Sequence, residues 1–264
     1  MDFALSSEAC IRKLSEKGAS ERLAYVASAL SLLRSELGDT KGLLGFCGSP
    51  WTLGCYMIDG GSADGFPKTL ALAKEQPLLF ARLMEKITSA PVEYVDMQCA
   101  AGIDALQIFD SWHSLCPIDK TYEWTTRWID QIAQSRSSDI PIILYAKAQQ
   151  ERIRLLTGSK VQGVSLDHTI DLAEARKAFP APFVLQGNLP PSLMESSPSI
   201  VEYETKKLLD SMNASNIVFW RYLVASILFF IAGGLPGKET IRDAAPLGLF
   251  LWLGYILQTQ GLVT

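Results

Sequence analysis

The chain has 264 residues, 48% of them hydrophobic and 20% charged, with a formal net charge of −4. That length suits one sizeable core, and an α/β barrel of about 250 residues fits it. The acidic balance excludes the basic footprint of a nucleic-acid binder, yet a few cleft residues can still hold an anionic small molecule. The five cysteines (Cys10, Cys47, Cys55, Cys99, Cys116) are scattered, with no CxxC pair. This argues against a disulfide framework or a zinc site and for a reducing, cytoplasmic setting. Residues 1–20 carry charges throughout and lack the apolar segment of a secretory leader.

In chain order, residues 20–37 place Leu23, Val26, Leu30, Leu33 and Leu37 on one helical stripe, ended by Gly38. Residues 42–46 read as a buried strand. Residues 67–88 read as helical with a break near Gln76-Pro77, and a second helical stretch runs toward Gly102, started or kinked by Pro91. Residues 104–109 form a strand, 119–135 a helix and 141–145 a strand. A short helix follows over 149–157, then a strand over 161–166 and a helix over 170–179. The series ends with a strand over 183–186 and a helix over 199–211 capped by Ser197 or Ser199.

Strands thus alternate with helices from about residue 20 to 211, the rhythm of βα units around a parallel sheet. About five strands of an eight-stranded (β/α)8 barrel are countable, so the expected fold is α/β, an incomplete TIM barrel. Chemistry in such barrels gathers at the C-terminal strand ends. Polar residues recur there in phase: Asp110 and Ser111, Lys147, Asp167-His168-Thr169, and Gln186-Gly187-Asn188. The open parallel edges of a partial barrel would need cover from a second copy of the chain, as a homodimer, or from the tail.

The tail breaks the rhythm. Residues 222–237 and 244–264 carry no charge, and the second run matches the roughly 20 residues that span a bilayer. The expected division is a barrel part over 1–212 and an apolar helical hairpin over 213–264, either two membrane helices, with membrane contact through 216–264, or two buried helices.

The run from Gly45 to Gly61, GFCGSPWTLGCYMIDGG, sets small residues, a proline, aromatics and a Gly-Gly pair directly after a strand. Glycine tolerates close backbone approach, so this is a candidate ligand loop, with a plain strand-to-helix turn as the alternative. With AGIDALQIFDSW at 101–112, PIILYAK at 141–147, GVSLDHT at 163–169 and LQGNLPP at 185–191, it resembles the uroporphyrinogen decarboxylase family in order and spacing over residues 20–211. The resemblance implies a cofactor-free (β/α)8 barrel of haem biosynthesis. Its substrate would be uroporphyrinogen, an anionic tetrapyrrole whose four acetate arms lose carbon dioxide.

By the same resemblance, Tyr56 is the active-site tyrosine beside a substrate acetate, and Ser111 is the serine that hydrogen-bonds a substrate carboxylate. Phe46 and Ile58 would line the apolar wall, and Lys147, Asp167 and Gln186 would support the site. Each has a packing alternative: Tyr56 as a core tyrosine, Ser111 as a helix cap, Asp167 as a loop cap. Related methyltransferases on this barrel bind zinc through a His-x-Cys pair and a later Cys, a spacing that neither His113 nor His168 reproduces, so no metal is expected.

The family's RQAGRY arginine motif, its pyrrole-binding aspartate and its NLGHG histidine motif are missing from this sequence. A truncated and impaired decarboxylase is therefore expected, with a membrane-tethered tetrapyrrole-binding remnant or a fusion artefact as alternatives. The tail, from Phe219 on, resembles two early helices of an EamA-like drug/metabolite transporter.

Overall fold

The computed structural model describes residue 5 and residues 7–38, 40–147 and 150–211, all within the first of two units, Met1–Met212. The expected apolar hairpin and its transporter resemblance lie outside the described residues. Among those described, no helix is long and apolar enough to cross a membrane.

The elements run α1 (Glu8–Arg12), α2 (Ala19–Arg22), α3 (Ala24–Leu37), β1 (Leu44–Gly48), α4 (Pro50–Asp59), α5 (Pro67–Glu75), α6 (Pro77–Ala100), β2 (Ala105–Asp110), α7 (Arg127–Ser135), β3 (Ile142–Ala146), β4 (Gly163–Ser165), α8 (Leu172–Ala178), β5 (Val184–Gln186) and α9 (Pro198–Ser211). The five strands form one parallel sheet in the order β1-β2-β3-β4-β5. Parallel neighbours need crossover connections, and the intervening helical segments supply them. Consecutive parallel strands linked in this way form a barrel wall.

The two faces of the sheet differ. Residues paired in register share a face, and faces alternate along each strand. Cys47, Leu106, Ile108, Ile142, Leu144, Val164 and Leu185 are all buried on the helix-covered side. The inner face carries Phe46, Phe109 and Tyr145, which keep partial solvent contact. A second apolar cluster lies between α4, α5 and α6 and reaches toward residues 112–128, with Trp51, Phe66, Phe80, Met84 and Trp124 at its heart.

Three local expectations change. Residues 77–100 form a single helix that continues through Pro91. A mid-helix proline loses one backbone hydrogen bond, but α6 is buried along much of its length, at Phe80, Leu83, Met84, Ile87, Pro91 and Val95, and packing offsets that loss. The helix expected over 119–135 is composite: a 3-10 turn at Ile118–Lys120, a π-helical turn at Tyr122–Thr126, then α7. Likewise 150–156 is 3-10 rather than α-helical.

The bottom of the barrel is tied by Arg34. Its guanidinium donates to the carbonyls of Gly102, Gly38 and Lys41 and pairs with Asp104, whose carboxylate also accepts the Leu43 N–H at 2.5 Å. One side chain on α3 thereby sets the start of both β1 and β2 and leaves the opposite strand ends for a site.

Candidate active site

β1 ends at Gly48, and Ser49 turns the chain into α4. The Ser49 side chain caps the helix by accepting the Thr52 N–H at 3.0 Å, and Pro50 occupies the first helical turn, where its missing N–H costs nothing. Tyr56 opens the last turn of α4, 37% exposed. Its ring is edge-on to Phe66, with centroids 5.4 Å apart, and to Trp112 at 6.2 Å. Phe66 has φ +48°, a left-handed backbone costly for an aromatic residue, and is fully buried against Trp112 at 4.9 Å. The loop before α5 is therefore pressed against the phenol. Asp59 fixes the far side of that loop by accepting the N–H groups of Lys68 and Thr69 and the Thr69 hydroxyl.

Ser111 follows β2 directly and is half-buried. Its neighbour Asp110 is fully buried on the helix-covered face. Oδ1 accepts from the Ser49 hydroxyl at 2.9 Å and the Thr52 hydroxyl at 3.2 Å, while Oδ2 lies 2.9 Å from Nδ1 of the buried His113. Trp51 Nε1 donates to the Trp112 carbonyl at 2.9 Å. The structure thus brings Tyr56 together with Trp112, the residue after Ser111, at adjoining strand ends. Phe46, 41% exposed on the inner face, meets Phe109 edge-on at 6.2 Å, and Phe109 meets Tyr145 at 5.6 Å. These three rings make an aromatic wall, of which Phe46 was the part legible in the sequence.

The other expected residues are placed differently. Ile58 is 1% exposed within the apolar cluster of Trp51, Cys55 and Phe66. It does not line the inner wall, because its side of α4 faces the core. Lys147 follows β3 with an exposed side chain, and its backbone bridges the loops, its N–H donating to the Asp110 carbonyl and its carbonyl accepting from Ser114 N–H. Asp167 shapes its own loop, accepting Thr169 N–H at 2.8 Å and the Thr169 hydroxyl at 2.5 Å. Gln186 ends β5, 2% exposed, with Oε1 buried and unpartnered. Beside it, Asn188 Nδ2 donates to the carbonyls of Asp167 and Ile170, lacing the ends of β4 and β5.

No group of three or more metal-ligating side chains occurs among the described residues. His113 is packed against Asp110, and burial pushes the Cys116 thiol up to about 12, with Asp110 adding to the shift. These groups are a structural hub beneath the site.

The family model for uroporphyrinogen decarboxylase (URO-D) matches residues 3–219, a span wider than the motif-bearing 20–211 at both ends. Uroporphyrinogen decarboxylase of Ruthia magnifica subsp. Calyptogena magnifica is 31% identical over 210 residues, covering 78% of this chain and 60% of that protein. The Xanthomonas campestris pv. campestris (strain B100) enzyme is 35% identical over 211 residues, again 78% and 60%. Among solved structures, a methyltransferase from Methanosarcina mazei superposes with a TM-score of 0.65 at 16% identity, covering 80% of this chain and 60% of that one, and shares the fold. The chain spans about 60% of the length of the curated relatives it matches. With strand-end motifs, parallel wall and family match in agreement, the chain belongs to the uroporphyrinogen decarboxylase family.

Proposed function

We propose that the described residues form the tyrosine- and serine-bearing side of a site for decarboxylation of uroporphyrinogen acetate arms. The observation that carries this reading is the meeting of Tyr56 with Trp112, beside Ser111, at strand ends flanked by the Phe46–Phe109–Tyr145 wall. An apolar wall with a few placed polar groups suits a large, flat, carboxylate-rimmed ligand. The Ser111 hydroxyl donates to a carboxylate of the substrate, and the Tyr56 phenol orients the reacting acetate. Neither chemistry calls on a cofactor.

Decarboxylation requires a proton at a pyrrole carbon, loss of carbon dioxide and protonation of the resulting methylene. The positive charge that develops on the ring needs an anionic partner, and the proton transfers need a donor. The family's RQAGRY and NLGHG motifs are not in this sequence. On this reading the chain binds the substrate and turns it over slowly, and binding without turnover is the second outcome the missing motifs favour. The test is incubation of the purified chain with reduced uroporphyrinogen, with chromatographic separation of the eight- to four-carboxylate products, beside a uroporphyrin titration followed by tryptophan fluorescence. The reading expects saturable binding that weakens in Y56A and in S111A. A chain that neither binds uroporphyrin nor forms product overturns it.

A further inference from the structure

We infer that Asp110, through Thr52 and His113, is the positioning residue that sets Tyr56 and Ser111 in register, an inference that rests on the reading of the site given above. The Asp110 carboxylate bonds both to the start of α4, through Ser49 and Thr52, and to the loop after β2, through His113. Tyr56 lies one helical turn beyond Thr52, and Ser111 is the residue next to Asp110. A rotation or slide of α4 against β2 moves the phenol relative to the serine. Two hydrogen bonds from the start of α4 to one fully buried carboxylate oppose that motion, and the third, with His113, holds the same carboxylate from the loop side.

His113 completes the device. Its ring is fully buried, Nδ1 faces Asp110, and Nε2 has no partner. The assignment that leaves no buried N–H orphaned puts the proton on Nδ1, where it is donated to Asp110, and leaves Nε2 as a bare lone pair. The ring therefore acts as a fixed donor. It holds residues 111–113 against the same carboxylate that holds α4, and the Trp51–Trp112 bond runs parallel to it.

The test compares Thr52→Val, which deletes one donor at nearly constant shape, with Thr52→Ser, which keeps it. In ligand-free protein the Tyr56 ring resonances shift in T52V and return to their wild-type positions in T52S. Nitrogen NMR of His113 reports the Nδ1–H form in wild type, and Asp110→Asn converts it to the Nε2–H form. In turnover, T52V lowers kcat about tenfold with KM changed less than about twofold, since misplacement of an oriented group acts on the transition state. Unmoved Tyr56 resonances in T52V overturn the inference whatever the activity. Absence of both uroporphyrin binding and product in wild type overturns the functional reading alone, because the resonance comparison needs no ligand.

Discussion

Gln98 on α6 pairs with the backbone of Phe46 through both ends of its amide: Oε1 accepts the Phe46 N–H at 3.0 Å and Nε2 donates to the Phe46 carbonyl at 3.0 Å. On its other side β1 bonds to β2, so Gln98 takes the place of a strand at the open edge. It also fixes the residue whose ring begins the aromatic wall. The expectation of a bare parallel edge is therefore corrected at the middle of β1, where a buried side chain supplies the missing pairing.

Replacing Gln98 by leucine leaves the part-buried Phe46 N–H and carbonyl without their side-chain partners. A fully buried orphan costs about 1–3 kcal/mol and a partly solvated one less, so Q98L is expected to lose roughly 1–2 kcal/mol of stability. Urea denaturation of wild type and Q98L measures this. A change below about 0.5 kcal/mol would mean that water reaches Phe46 and that the edge is open after all. Self-association of Q98L in sedimentation is the second expected sign, because unpaired edges recruit other chains.

Cysteine reactivity follows burial. Burial pushes the Cys47 thiol up to about 12, and the Cys55 thiol rises further, with Asp110 and Asp59 adding to the effect of burial. With Cys116 also near 12, about one such thiol in ten thousand is ionised at pH 8, and only the thiolate reacts. Iodoacetamide on the native chain is expected to modify Cys10 first and Cys99 more slowly, since burial raises the Cys99 thiol as well. Mass spectrometry after brief labelling should find Cys47, Cys55 and Cys116 unmodified, and rapid labelling of any of the three would show that the core around Asp110 opens.

Glu93 on α6 caps α2 from a distance. Its carboxylate accepts the N–H groups of Ala19 and Ser20 at 3.1 Å and the Ser20 hydroxyl at 2.5 Å. The Ser20 hydroxyl first, then the backbone N–H groups, hold the Glu93 carboxyl below its ordinary 4.5. A depressed carboxyl favours the folded state above the unfolded value, and that contribution disappears as pH falls through the folded value. Glu93→Gln should therefore be less stable than wild type at neutral pH, with the gap closing below pH 4.5. Thermal unfolding of both proteins across that range checks the sign, and a gap that widens in acid would contradict it.

How much of this was legible in the sequence depends on the range of the interaction. Periodicity located the strands and most helices, because a buried strand or an amphipathic stripe is written in neighbouring residues. It offered Pro91 as the start or a kink of a second helix, and the start is overturned because one helix runs through it, tolerated by packing from elements dozens of residues away. The motif reading drew attention to Tyr56 and Ile58 together, yet two residues on a helix point in different directions: one meets Trp112 at the site and the other joins the core. Asp110 was visible as a strand-end carboxylate. Its partners Ser49 and Thr52 lie 61 and 58 residues earlier, so its role emerges only when β1 and β2 lie side by side. Gln98 carried no signal at all, because an amide on a helix gains meaning only from the backbone it happens to meet.

The ends of β4 and β5 offer a last prediction. Gly187 has φ +135°, and a Cβ placed there would lie 2.6 Å from the Leu166 carbonyl oxygen. Both the dihedral and the contact exclude a side chain, and the obstacle is backbone, which cannot swing aside. The Leu166 N–H itself donates to the Gln186 carbonyl at 2.9 Å, so relief of the clash pulls on the β4–β5 junction. Gly187→Ala should displace the loop that Asn188 laces to Asp167 and Ile170 and lower stability by roughly 2–4 kcal/mol, the scale of strained backbone combined with lost buried hydrogen bonds. Gly158→Ala is the control: nothing lies within 4 Å of its Cβ, and its φ is not in the left-handed range. Chemical denaturation should separate the two variants clearly. If G187A and G158A unfold at the same denaturant concentration, the close approach of β5 to Leu166 does not hold this junction together.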